Sequence, residues 1–520
     1  MRAFLLLFIA TVGFADPYPK NPDISVSHYI FKLELSDTSD EIAGEASVTV
    51  KFKKPVTSFD LNLIGKAEGT TGMEVTSVTL SGKPVEYTFK NNLISIKPTG
   101  ANDEQTFVIA YKGIPADGLI ISKNKFGDRS FFGDNWPDRG RNWLPSIDHT
   151  SYKSTVEFII TAPDHYEIIA TGKLVDEKKI SKKRKVSHWS ESVPVSVKVM
   201  TIGVSEFAVQ ESGKVGNIPV TTWVYPQNQK EGFLDFSVAP KVLEYFQEYI
   251  GRYPFEKLAH VQSKTKFGGL ENAGNIFYFE NSVNGKNERE GLIAHETAHQ
   301  WFGDSATEAD WYHVWLSEGF ATYFAALYME HTYGPDKLKE IMTDTRKQIF
   351  KADEKNNSPI VDTTITDINK VLSIRTYQKA AWVLHMLRHE MGDENFQAGI
   401  REYYDTYKGK TALTKDFVAV MERYSKEDLK PFFQQWVFTG GHPRVDGMWY
   451  YEKHSIFIHF ELTGTGPYNI PLEVLVNSVP QTIVLKPGKQ TVQLGSVENP
   501  KKVDFDPNGW LLGEVNIIAK

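Results

Sequence analysis

At 520 residues the chain has room for three or four domains of about 150 residues each, and with 41% hydrophobic, 13% aromatic and 24% charged residues it is not collagen-like, coiled-coil or disordered. Lys and Arg total 58 against 65 Asp and Glu, and a formal charge of −7 gives no electrostatic case for nucleic acid or an anionic membrane as the main partner. Cysteine is absent, which removes disulfides, thiolate metal sites, a cysteine nucleophile and a lipid-modified cysteine, so any metal must sit on His, Asp or Glu.

Residues 1–15 carry Arg2, an apolar run over 3–14 and small residues at Gly13 and Ala15, the layout of a secretory signal cleaved before Asp16. The run is shorter than the roughly 20 residues a membrane span needs, and no later segment comes close. Secretion or export to a periplasm is therefore expected. From 26 to about 206 apolar and other residues alternate, as in Ile42, Gly44, Ala46, Val48, Val50 and Phe52 and again in Phe59, Leu61 and Leu63, with segments 155–161 and 197–204 continuing the habit. This predicts a mostly antiparallel β domain of sandwich or saddle form over 16–208. The lysine-rich stretch 178–185 resembles a nuclear localisation signal in composition alone. It lies between two strand-like segments, and solvated charge at a hairpin tip is the expectation.

Beyond about 217 the texture changes. Short strands at 219–224 and 260–263 give way to helical periodicity over 233–250, 288–302, 316–332, 376–390, 394–407, 414–424 and 429–437, which predicts a mainly helical domain over 209–441. The cluster Gly440, Gly441, His442, Pro443 ends it, and alternation at 455–462, 472–476 and 482–485 predicts a small β-sandwich over 442–520. The whole is a multidomain α+β protein without internal repeats or low-complexity tracts.

The chemistry lies in His295, Glu296, Thr297, Ala298, His299. Two histidines four apart on a helix share one face, so both imidazoles reach one cation while Glu296 addresses a water there. Alone, the motif also fits a helix with two surface histidines. Catalytic zinc needs three protein ligands and an open position, and a second helix opened by Trp315 and Leu316 places Glu318 nineteen residues beyond His299. Leu292, Ile293, Trp301 and Phe302 read as core residues that fix the first helix. Upstream, Gly268, Gly269, Leu270, Glu271 and Asn272 follow a predicted strand. Paired glycines suit an edge strand that holds an extended peptide, and Glu271 adds a carboxylate nearby. Downstream, Tyr377 opens a helix with Lys379 two positions on, and its phenol is placed to donate to an oxyanion.

Taken together, Gly269-Leu270-Glu271-Asn272, His295-Glu296-x-x-His299, Glu318 and Tyr377-x-Lys379 resemble the M1 family of zinc aminopeptidases with its thermolysin-like catalytic domain. The likeness extends to Gly251-x-Tyr253-Pro254-Phe255, to Gln300-Trp301-Phe302-Gly303, to residues 315–321 and to the stretch 141–148. The resemblance implies one zinc ion held by His295, His299 and Glu318, with Glu296 as general base and Tyr377 stabilising the tetrahedral intermediate. It further implies that Glu271 holds the free α-amine of a peptide substrate, within a substrate-binding segment from Gly268 to Asn272. Leu270 stands where the family usually has Met, and Ala380 where it has Gly. Many members use a Gln or Glu of the β domain to help hold the amine; here the corresponding residues are Asp134, Asn135, Trp136 and Pro137, and Asn135 is the expected helper. Larger members continue into a helical domain, so a more open cleft is expected. The alternatives are a thermolysin-like metalloendopeptidase, a catalytically inert peptide-binding pseudoenzyme and, more distantly, an epoxide hydrolase acting on lipid.

Overall fold

The computed structural model describes residues 18, 20–66, 69–99, 103–466, 468–495 and 500–520; the expected secretory signal over 1–15 lies outside the described residues. The N-terminal region is built on an eight-stranded sheet whose central strands are Lys153–Pro163, Ile24–Glu34, Ile42–Phe52 and Glu104–Ile114. Its pairings are antiparallel except between Ile24–Glu34 and Lys153–Pro163, which run parallel with Phe31 opposite Phe158. The two-residue period has the expected cause: Ile42, Ala46, Val48 and Val50 are buried while Ala43 and Lys51 face solvent. A four-stranded and a three-stranded sheet complete this region.

Two expectations here need correction. Residues 197–204 are not one strand: Val197–Val199 is a 3-10 turn, and only Ile202–Ser205 is extended. The reason is a distant partner: the carbonyls of Val197 and Met200 accept from the Asn135 side chain rather than from a neighbouring strand. The lysine-rich stretch does turn a hairpin, between Lys173–Ser181 and Arg184–Ser196. Lys185, however, is buried and ion-paired with Glu177 and Glu167 at 3.2 and 3.5 Å rather than solvated.

A five-stranded sheet follows, in the order Ala208–Val215, Ile218–Val224, Leu258–Ser263, Asn275–Phe279, Gly269–Leu270. With it come the helices α1 (Gln229–Asp235), α2 (Ala239–Tyr249), α3 (Glu290–His299), α4 (Trp315–Tyr333), α5 (Pro335–Asp353), α6 (Ala380–Met391), α7 (Asp393–Tyr407), α8 (Thr414–Met421) and α9 (Lys430–Trp436), of which α1, α2 and α3 touch the sheet. The helix expected over 233–250 is two. Pro240 fits the first turn of a new helix, where its missing N–H costs nothing, and the buried Asp235 accepts from the backbone of Asn284, Gly285 and Asn287. The helix expected over 376–390 begins with a π-helical turn, Arg375–Lys379, before α6. The helix α5 was not among those expected, although its buried Leu338, Met342, Thr345 and Ile349 recur at helical spacing.

The centre of the molecule is α4, whose residues Trp315 to Tyr328 are buried with the single exception of Thr322. Such all-round burial marks a core helix. Its Phe320 packs on Phe302 at 4.8 Å and on Phe417 at 5.1 Å between ring centres, which ties α4 to the end of α3 and to α8. Two sheets of four and three strands between Arg444 and Ala519 form the C-terminal sandwich. No helix among the described residues is long and apolar enough to cross a membrane.

The β region docks on the helical region through buried charge. Lys198 pairs with Glu308 at 2.6 Å, both almost wholly enclosed, and Thr150 donates to the same carboxylate. Lys153 donates to the carbonyl of Asp304 and to Thr307. Removing one partner of such a pair leaves a buried, uncompensated charge. Lys198→Met should therefore lower stability by about 3–5 kcal/mol, read as a shifted denaturant midpoint, and Lys198→Met with Glu308→Leu should recover part of the loss.

Candidate active site

The helix α3 projects His295 and His299 from one face, as their spacing requires, and the first turn of α4 brings Glu318 opposite them. The His295 Nε2 and His299 Nε2 atoms lie 3.1 Å apart, and Glu318 Oε2 is 3.5 Å from the first and 3.2 Å from the second. Three donor atoms thus form a nearly equilateral triangle, a group able to hold a metal ion. The imidazole of His299 is oriented from behind. Its Nδ1 lies 3.2 Å from the carbonyl of Phe302, which only accepts, so Nδ1 carries a proton and Nε2 is the atom turned to the triangle. Ser317 Oγ adds a contact at 3.0 Å. Gly303 makes this turn possible: its φ is +128°, and a Cβ there would fall 2.3 Å from Ser317 Oγ.

Gly269–Leu270 is the edge strand of the five-stranded sheet, paired antiparallel to Asn275–Phe279 on one side only. It passes so close to α3 that a Cβ on Gly269 would lie 2.1 Å from Glu296 Oε1. The strand leads into Glu271, whose carboxylate oxygen, with those of Glu296 and the His299 nitrogen, lies within 4.8 Å of the other two. Glu271 is buried, and its Oε1 has no hydrogen-bond partner among the described residues.

Three buried carboxylates crowd one cavity, and the proton affinities show it. Burial pushes Glu296 well above the usual carboxylate range, with Glu271 and Glu318 adding to the effect and His299 opposing it. Burial likewise raises Glu271, against the pull of His299 and Lys198. Burial lowers His295, whereas for His299 the same desolvation is outweighed by the carboxylates, Glu318 first, and the imidazole is pushed up to about 10. The site attracts positive charge. Burial and the neighbouring Glu318 and Glu271 hold the Tyr377 phenol well above its ordinary range, so it remains a donor. The π-helical turn sets its ring 6.0 Å from that of His295, nearly parallel at 11°.

The cavity has a volume of about 390 Å3 and is lined by Gly268, Gly269, Leu270, Glu271, Glu296, Tyr377 and the three residues of the triangle. Asn272 does not line it; its carbonyl accepts from Asn275, and it is buried behind the loop. Lys379 also points away, donating to the carbonyl of Gly441. Asn135 is not an amine ligand: its Nδ2 donates to Val197 and Met200, and its Oδ1 accepts from Trp143. Asp134 is consumed by Arg139, Thr265 and the Lys266 backbone. The residue of that stretch that lines the cavity is Trp136. Phe267, Leu292 and Leu372 join it, and Leu292 is thereby a wall residue rather than the core residue its spacing suggested. Ile293, Trp301 and Phe302 are fully buried, as expected.

Comparison with known proteins places these elements in a family. The sequence description "Peptidase family M1 domain" matches residues 234–436, and "Peptidase M1 N-terminal domain" matches residues 25–197. The chain belongs to peptidase family M1. Among its M1 relatives are probable aminopeptidase 2 of Sulfurisphaera tokodaii, 27% identical over 85% of this chain and 59% of the relative, and glutamyl aminopeptidase of Homo sapiens, 29% identical over 60% and 34%. Leucyl aminopeptidase of Saccharolobus solfataricus is 22% identical over 94% and 63%. The chain thus spans from about a third to under two thirds of the length of these relatives.

A cation held in the triangle would bind the folded state alone and so stabilise it. Stripping divalent metal with a chelator should lower the melting temperature by several degrees, reversibly on adding metal back, and Glu318→Ala should abolish the metal-dependent shift while leaving a folded protein.

Proposed function

We propose that the protein is a zinc aminopeptidase that hydrolyses the first peptide bond of substrates with a free amino terminus. The observation that carries this reading is the buried carboxylate of Glu271, whose Oε1 has no hydrogen-bond partner among the described residues, within 4.8 Å of Glu296 and His299. In an amino acid the amine nitrogen and the carbonyl carbon are about 2.5 Å apart. A substrate ammonium seated on Glu271 therefore sets its own carbonyl, and no later one, beside Glu296.

The donor set fits zinc. Two neutral imidazoles and one carboxylate are a usual catalytic set, and the edges of 3.1, 3.2 and 3.5 Å agree with the roughly 3.3 Å expected between ligands of a tetrahedral ion at 2.0–2.1 Å. Zinc bound there would supply a Lewis acid that acidifies water and polarises the carbonyl. The protein groups do the rest. The free edge of Gly269–Leu270 offers its backbone to an extended peptide. Glu296 accepts the proton of the attacking water and delivers it to the departing amine. The Tyr377 phenol donates to the carbonyl oxygen as negative charge grows on it. The count of charge is consistent: a dication and an ammonium balance the carboxylates of Glu271, Glu296 and Glu318.

Relatives named for leucyl and for glutamyl substrates differ in the first residue they remove, so that preference has to be read from the cleft itself. Export is proposed on the pattern of residues 1–15; mature exported protein should begin at Asp16, and material that stays inside the cell with Met1 intact argues against it.

Glu296→Gln keeps the shape but not the basicity, and should retain zinc while losing at least about a thousandfold in kcat. Glu271→Ala should raise KM and lower kcat/KM for aminoacyl amides, and acetylation of a peptide's amino terminus should prevent its cleavage. Equal turnover of free and acetylated peptides would instead indicate an endopeptidase.

A further inference from the structure

Resting on the aminopeptidase reading, we propose that Trp136, with Phe267 and Leu270, receives the side chain of the substrate's first residue, selecting bulky apolar side chains and rejecting acidic ones. The position follows from the chain. Phe267 and Leu270 flank the paired glycines immediately before Glu271, so they stand on the amine side of the cavity. A residue whose ammonium is held by Glu271 has its Cβ about 2.5 Å from that nitrogen, and its side chain must lie against the wall next to the anchor.

That wall is aromatic and already assembled. Trp136 meets Phe267 edge-on at 6.0 Å and Trp311 edge-on at 5.6 Å between ring centres. Arg139 secures both sides, lying over the Phe267 ring at 5.6 Å while its Nε donates to the Trp136 carbonyl at 2.7 Å. Its own charge is spent on Asp134 and Asp117, and Lys198 is spent on Glu308. No Lys or Arg lines the cavity among the described residues. An acidic first residue would meet no Lys or Arg on that wall and would add a fourth carboxylate to a cavity that already holds Glu271, Glu296 and Glu318, whereas a leucyl or phenylalanyl side chain exchanges water for aromatic surface.

The test is a panel of leucyl, phenylalanyl, alanyl and glutamyl chromogenic amides on the zinc-loaded full chain. Leucyl and phenylalanyl amides should exceed the alanyl amide in kcat/KM by about tenfold or more, and the glutamyl amide by about a hundredfold or more. In Trp136→Ala, shown to be folded by circular dichroism, the leucyl-to-alanyl ratio should fall about tenfold. If that variant does not fold, Trp136→Phe, which keeps an aromatic ring against Trp311, should show a smaller fall in the same ratio. A glutamyl rate equal to the leucyl rate, or an unchanged ratio in a folded Trp136 variant, overturns this inference and leaves the aminopeptidase reading standing. Failure to cleave any free-amine amide, or equal cleavage of acetylated ones, sinks both.

Discussion

Three carboxylates and two imidazoles enclosed in one cavity are an electrostatic debt that the protein alone does not settle. Glu271, Glu296 and Glu318 are each buried, and His299 opposes all three, with Lys198 acting on Glu271 and His295 on Glu318. Groups of like charge held together out of water either take up protons or recruit a cation. The triangle of His295, His299 and Glu318 gives a cation a coordinated place, and the unpartnered Oε1 of Glu271 gives a second positive group a place beside it. On the proposed reading, metal binding and recognition of an amino terminus would be two consequences of one arrangement of charge.

Holding such a cluster open requires a stiff surround. The aromatic packing of Phe302, Phe320 and Phe417 fixes α3 to α4, and so fixes the two imidazoles relative to Glu318. The Phe302 carbonyl and the glycine turn after it lock the His299 ring from the far side. The β region contributes Trp136 to the cavity wall and Lys198 to the buried charge behind it, so the cleft is complete only where the two regions meet. The edge strand Gly269–Leu270, paired on one side only among the described residues and followed directly by Glu271, is the track the proposed reading gives to an extended substrate.

Much of this was legible in the sequence because it is local. The spacing of His295, Glu296 and His299 sets their common face by helical geometry alone, and the glycines before Glu271 announce an edge where a backbone comes close. The β domain and the C-terminal sandwich could be read from alternation for the same reason. What escaped depends on distant partners. Asn135 was a reasonable amine ligand by chemistry, but its three polar contacts are with residues 8 to 65 positions away, and no periodicity reveals them. Trp136 reads as one more core aromatic until it is seen to line the same cavity as Phe267 and Glu271. The helix α5 is a different case: its apolar residues do recur at helical spacing, but they are sparse on a strongly charged segment.

The central claim is that the two imidazoles and the Glu318 carboxylate grip one zinc ion. Anomalous scattering at the zinc edge, from crystals of purified protein that hydrolyses an aminoacyl amide, tests it most directly. The account predicts a single peak about 2.0–2.2 Å from His295 Nε2, His299 Nε2 and a Glu318 carboxylate oxygen. An active protein with no peak there, or with its metal bound by other residues, contradicts it.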